Sequence, residues 1–120
     1  MRRILVIENN PIYQAELSRL LRLEKYQVIR AESGRDGLTQ ALEKHPDLIL
    51  CDVNTPDLTG YEILEKIRSD DSTSSIPFIF LAGKTDASSH SYAMKLGASA
   101  YLSKLVSPHE LLRVVATKLK

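Results

Sequence analysis

Four short apolar runs punctuate the 120-residue chain: Ile4-Leu5-Val6-Ile7, Val28-Ile29, Leu48-Ile49-Leu50-Cys51 and Phe78-Ile79-Phe80-Leu81. None alternates polar with apolar positions, so each reads as a strand buried on both faces, as in a parallel sheet. Ala100-Tyr101-Leu102 is a fifth, weaker candidate. The stretches between the runs have helical spacing. Leu17, Leu20 and Leu21 share one face, as do Leu38, Ala41 and Leu42, then Ile63, Leu64 and Ile67, and finally Leu111, Leu112, Val115 and Leu119. The segment 86–96 is less regular, with Tyr92, Ala93 and Leu96 as its expected inward side.

Start and stop signals fit these helices. Asn10-Pro11 puts a capping side chain before a proline at the first helical position. Ser33 and Asp36, Thr59 and Glu62, and Ser107 and Glu110 have capping-box spacing, the last with Pro108. His45-Pro46 and Gly97 end the second and fourth helices. The polar stretch 69–75 reads as the softest loop. Strand and helix thus alternate five times, which predicts an α/β fold with right-handed crossovers and helices on both faces of a parallel sheet.

Composition narrows the class. The length suits one domain over residues 1–120, able to bury roughly two-thirds of its unfolded surface. Hydrophobic residues at 43% and charged residues at 26% exclude a wholly disordered chain. Sixteen basic and fifteen acidic residues give +1, so no global field draws nucleic acid or anionic lipid. A single cysteine, Cys51, excludes an internal disulfide and suits a reducing compartment. No apolar run approaches a membrane span, and Met1-Arg2-Arg3-Ile4 lacks a signal-peptide core, so a cytoplasmic domain is expected.

In an open parallel sheet, ligands bind beyond the carboxyl ends of the strands. There the sequence delivers Glu8, Asn9 and Asn10 after the first strand and Asp52, with Asn54 behind it, after the third. Ala82, Gly83 and Lys84 follow the fourth strand, and Ser103 and Lys104 the fifth. Each alone has an ordinary reading as a turn, cap or solvated charge. Converging, two carboxylates, amides and a lysine suit a hard cation such as Mg²⁺ together with a phosphoryl group.

Over essentially its whole length the chain resembles the receiver domains of two-component response regulators. The match is carried by Ile4 to Pro11, by Pro46-Asp47-Leu48-Ile49-Leu50-Cys51-Asp52 running to Thr59-Gly60-Tyr61-Glu62, by Ile76-Pro77, and by Gly97-Ala98 through Tyr101-Leu102-Ser103-Lys104. The resemblance implies a flavodoxin-like fold with strand order 2-1-3-4-5. It implies that Asp52 accepts a phosphoryl group from a histidine kinase or phosphotransfer protein, as a carboxylate nucleophile. By position, Glu8, Asn9, Asp52 and the Asn54 backbone carbonyl match the Mg²⁺ ligands, and Lys104 matches the phosphoryl contact. Ala82 and Tyr101 match the switch positions. An output partner or a second copy is expected on the face of helix four, strand five and helix five, drawing on Tyr92, Lys95, Tyr101 and Ser103.

Three positions depart from the family pattern. Asn9 replaces an acid, removing a charge whose interaction with a nearby divalent ion is on the order of several kcal/mol at an effective dielectric near 20. Weak Mg²⁺ binding, at millimolar levels or worse, is expected. Ala82 replaces Ser or Thr and has no hydroxyl to offer a phosphoryl group, and Thr85 lies too far along the loop to substitute, so coupling to Tyr101 should be reduced. Lys104-Leu105 replaces Lys-Pro; a cis bond before leucine costs roughly 2.5–4 kcal/mol, so a trans bond and a displaced Lys104 are expected. The function implied is phosphorelay signal transduction without enzymatic activity, with a phosphorylation-independent interaction module as the alternative. An effector domain is expected to be absent or removed.

Other classes fit less well. Asp52-Val53-Asn54-Thr55-Pro56 fails the haloacid-dehalogenase phosphatase motif at its second acid and fifth position. Flavodoxin shares the architecture, but Glu8 would repel a flavin phosphate. Arg19, Arg22 and Lys25 read as a solvated helix face, so direct nucleic-acid binding is not expected. His45, His90 and His109 lack metal-site spacing, and Cys51 reads as a small core residue.

Overall fold

A computed structural model describes residues 1–83 and 85–120; Lys84, which the sequence puts after the fourth strand, lies outside the described residues. The apolar runs form β1 (Arg3–Ile7), β2 (Gln27–Ala31), β3 (Leu48–Asp52), β4 (Phe78–Ala82) and β5 (Ala100–Ser103). They alternate with α1 (Pro11–Leu23), α2 (Gly34–Lys44), α3 (Gly60–Ser69), α4 (Ala87–Lys95) and α5 (Pro108–Lys118). All pairings are parallel, and the order is β2-β1-β3-β4-β5. β1 and β3 are neighbours, with Ile7 opposite Cys51, so Glu8 and Asp52 leave the sheet side by side.

The two-residue period of the strands sorts the core into two layers. Leu5, Ile7, Ile49, Cys51, Phe78 and Phe80 face α2, α3 and α4, where they meet Ala41, Ile63, Leu64, Ile67 and Ala93. Ile4, Val6, Leu48, Leu50, Ile79 and Leu81 face α1 and α5, against Leu17, Leu21, Leu111, Val114 and Val115. Each of the buried Val, Leu, Ile and Phe side chains contributes about 1.5–3 kcal/mol of burial, and truncating fully buried Leu21 to alanine would cost about 2–5 kcal/mol.

Some expectations are corrected. β2 is an edge strand with Val28 and Ile29 only half-buried, so the two-sided burial read from its apolar pair does not hold. Asn10, Thr59 and Ser107 cap as expected, but only Thr59–Glu62 closes a complete capping box. The Glu110 carboxylate instead accepts from Arg113 three residues on, at 2.6 Å. Tyr92 does not face inward; it is 48% exposed, with its ring edge on Tyr61 at 4.9 Å. The stretch 69–75 is pinned rather than loose. Buried Thr73 donates to the Ile67 carbonyl, while the Arg68 guanidinium donates to the carbonyls of Ser74, Ile76 and Gly97. Gly97 sits at φ +103, which a side chain would strain.

Candidate functional site

Parallel register brings five strand ends to one rim, and the backbone there is tied across strands. The Glu8 N–H donates to the Ala31 carbonyl at 3.0 Å, and the Lys104 N–H to the Ala82 carbonyl at 2.8 Å. The buried amide of Gln14, in the first turns of α1, donates to the carbonyls of both Glu8 and Ala31. Its own oxygen accepts from Arg30 at 2.8 Å. Gly60 begins α3 so close to β3 that a Cβ there would stand 2.7 Å from the Asp52 carbonyl oxygen.

Three of the sequence-predicted residues meet at a single atom. The Lys104 ammonium lies 2.9 Å from Glu8 Oε1 and 3.3 Å from Asp52 Oδ2. Glu8 is 1% exposed and Asp52 7%, so the carboxylates face this cation from a largely dehydrated floor. Their remaining oxygens are fixed by backbone donors. Glu8 Oε2 accepts from the Asn10 N–H at 2.9 Å, and Asp52 Oδ1 from the Asn54 N–H at 3.1 Å. Lys104 is therefore not displaced, contrary to the expectation drawn from its following leucine, although no cis bond occurs among the described residues.

The electrostatics follow from this cage. Burial pulls the Lys104 pKa down, but the hydrogen bond to Glu8 and the charges of Asp52 and Glu8 outweigh it, and the net shift is upward. Half-buried Tyr13, whose ring centroid lies 5.0 Å from the ammonium, is pushed up to about 12 by burial first, then by Glu8 and Asp52. Burial, with Asp52 and Glu8 adding to it, also raises the Cys51 thiol, which stays protonated in the core.

The other predicted positions lie around this centre. Asn9 is exposed, and its amide donates to the Glu32 carbonyl at 3.3 Å, on the β2 side of the rim. Asn54 is exposed on the loop after β3. Ala82 is buried and borders a cavity of about 560 Å³ that Asn54, Tyr61, Asp86, Ser89 and Tyr101 also line. Tyr101 is already buried, with Phe80 and His90 at its edges at 6.0 and 5.8 Å. It therefore offers little to the surface expected of it, where Tyr92 and Met94 are exposed large apolar side chains and Lys95 is exposed beside them.

Two carboxylates converging on one cation, beside the Asn54 loop, form a hard-oxygen donor set. That chemistry fits a Mg²⁺ ion retaining most of its waters. No group of three or more His, Cys, Asp or Glu able to cage a metal occurs among the described residues.

Residues 4–116 match the response regulator receiver domain. The chain belongs to that family. It is 32% identical to the protein PilH of Pseudomonas aeruginosa over 96% of its own length and 95% of that relative. It is 30% identical to the polar-differentiation response regulator DivK of Brucella ovis, over 87% of this chain and 85% of DivK. The receiver domain structure from Clostridium thermocellum superposes with a TM-score of 0.92 at 29% identity, covering 99% of this chain and 94% of that one. The expected fold and strand order are borne out, and this receiver is a module of phosphorelay signal transduction. Receivers in general are signalling modules that typically bind Mg²⁺ at the acidic pocket. They interact with histidine kinases or phosphotransfer proteins and with output domains. Among the described residues no helix is long and apolar enough to cross a membrane.

Tyr13, Gln14 and Arg30 belong to this rim, and the sequence reading missed all three. Gln14 alone left a trace, as a polar residue three positions from Leu17 on the buried face of α1.

Proposed function

We propose that Asp52 is the phosphoacceptor of this receiver and that Lys104 meets the incoming phosphoryl group. One observation carries the reading: a single ammonium contacts both buried carboxylates at the strand ends. An Asp52 carboxylate oxygen attacks phosphorus, the phosphorus–nitrogen bond of a phosphohistidine donor breaks, and the electron pair leaves with the imidazole. Water later attacks the acyl phosphate, returning the carboxylate and releasing inorganic phosphate. The Asn54 N–H orients Asp52, and the flexible Lys104 stem lets its charge follow the phosphoryl oxygens. Glu8, Asp52 and the Asn54 carbonyl would hold Mg²⁺, with Asn9 as a neutral fourth donor once turned from Glu32. When bound, Mg²⁺ would neutralise charge developing on the phosphoryl oxygens.

Ala82 and Tyr101 occupy the switch positions, with coupling reduced because Ala82 donates nothing. We read residues 1–120 as one receiver unit working in the cytoplasm. Its output partner or second copy would use the α4–β5–α5 face. The exposed Tyr92 and Met94 and a groove of about 350 Å³ between His90, Leu102 and Arg113 support that choice. Incubation with acetyl phosphate and Mg²⁺, followed by intact-mass measurement, tests the core of the reading. A gain of one phosphoryl group that vanishes in Asp52→Ala is expected. No gain even at high Mg²⁺ would overturn it.

A further inference from the structure

Lys104 keeps its place without help from the chain that follows it. Leu105 is 91% exposed, and its N–H turns back to the Ser103 hydroxyl at 3.0 Å. A lysine side chain has a long, freely rotating stem, and a charge that water solvates well. Two carboxylates attract it, yet the Lys104 side chain keeps 25% exposure. The Tyr13 ring also lies against the ammonium, its centroid 5.0 Å from Nζ, within the range where a ring face attracts a cation.

The ring is not placed there by chance rotation of a surface residue. Glu8 Oε2 accepts the Asn10 N–H at 2.9 Å, and Asn10 Oδ1 in turn accepts the N–H groups of Ile12 and Tyr13, each at 3.0 Å. One chain of hydrogen bonds therefore runs from the carboxylate that holds Lys104 to the backbone of the residue that covers it. Pro11 at the start of α1 fixes the same turn from the other side.

We propose that Tyr13 is a positioning residue of the phosphoryl-transfer site: its ring covers the Lys104 ammonium and keeps it over Glu8 and Asp52, where the phosphoryl group arrives. The proposal rests on the roles given above to Asp52 and Lys104. It assigns the work to the ring face and not to the hydroxyl, so phenylalanine should replace tyrosine and an aliphatic residue should not.

Two readouts test it. In the unphosphorylated protein, amine labelling by an acetylating reagent, mapped to each lysine by mass spectrometry, reports how well Lys104 is held. Tyr13→Leu should label Lys104 about fivefold faster or more, relative to the exposed lysines, and Tyr13→Phe should stay close to the parent. With acetyl phosphate and Mg²⁺, the rate of Asp52 phosphorylation should fall by a similar factor in Tyr13→Leu and be restored in Tyr13→Phe. Tyr13→Met fills the half-buried space with no ring and replaces the leucine variant should that fail to fold. Equal Lys104 labelling in the leucine or methionine variant and the parent would overturn the proposal. So would a phosphorylation rate lost equally in Tyr13→Phe. If the parent itself takes no phosphoryl group, the functional reading fails, while the labelling still decides whether the ring holds the lysine.

Discussion

Lys104→Met removes the ammonium that contacts two buried carboxylates, and the structure sets the size of the effect. At 2.9 and 3.3 Å, each attraction is on the order of 5 kcal/mol at an effective dielectric near 20, and about 1 kcal/mol in water. The gross figure is offset by dehydration of all three charges, and the Lys104 side chain keeps 25% exposure, which screens it further. Deleting one partner of a fully buried pair costs about 3–5 kcal/mol, and of an exposed pair about 0–1. A net loss of about 2 kcal/mol lies between these, or a melting midpoint lower by about 8 °C for a domain of this size. Methionine keeps the length of the stem, so little of the loss comes from packing. Because the folded-state pKa of Lys104 is raised above 10.5, its contribution is fully present at neutral pH and fades only as pH rises beyond that value. Urea unfolding followed by circular dichroism at pH 7 measures the loss. Adding Glu8→Gln should return part of it by removing the repulsion with Asp52. If Lys104→Met is as stable as the parent at pH 7, the shared ammonium does not hold this rim together.

Three further outcomes are expected. Asp57 caps α2 from the loop after β3, accepting the N–H groups of Arg35 and Gly34 at 2.9 and 2.8 Å, and those bonds lower its pKa to about 2. Its contribution is complete above the ordinary value of 3.8 and is lost as pH falls towards 2. Asp57→Asn should therefore lower the urea midpoint at pH 6, with a gap that closes in acid; a gap independent of pH would rule out the charge as its cause. Calorimetric titration of the unphosphorylated domain should show Mg²⁺ binding at millimolar levels or weaker, since only two carboxylates meet at the site. Tight stoichiometric binding would contradict that count of charges. A phosphoryl mimic should produce small NMR shifts around Tyr101, because Ala82 cannot donate to it, and large shifts there would count against the reduced coupling.

The central strands were legible because β1, β3 and β4 are buried on both faces, and an unbroken apolar run has no other stable place in a small domain. Strand order was not legible from pattern; it came with the family resemblance. The exposure of β2 was missed because the two residues Val28-Ile29 look the same at an edge as in the middle. At the site, Glu8, Asp52 and Lys104 were legible because each directly follows or ends an apolar run, so topology alone delivers them to one rim. Tyr13, Arg68 and Asp57 were not. Each acts on a partner distant in sequence: Tyr13 on Lys104, Arg68 on Gly97, Asp57 on the start of α2. No periodicity encodes a contact of that kind. The misplacing of Lys104 had the same origin, since the residue after it was visible in the sequence and the ring beside it was not.

The departures at Asn9 and Lys104-Leu105 make more sense together than apart. With acids at both positions after β1, one lysine would face three negative charges, leaving the pocket at −2 and in need of an external cation. With Asn9 neutral and turned to the Glu32 carbonyl, Glu8 and Asp52 carry −2 against the +1 of Lys104 among the described residues. A residual −1, shared between two carboxylates that each accept a backbone N–H, is a load the folded chain supports by itself. The same arithmetic gives Lys104 a larger share of the work than a lysine has beside a tightly held metal. Among the described residues it is the cation that contacts both carboxylates, and under the proposed function it would also be the cation that meets the phosphoryl group. A lysine with both duties has to stay near its carboxylates yet remain free to swing. Two ionic contacts and one ring face meet that need better than a fully buried hydrogen-bond cage, which would fix the ammonium and leave nothing to follow the phosphoryl oxygens.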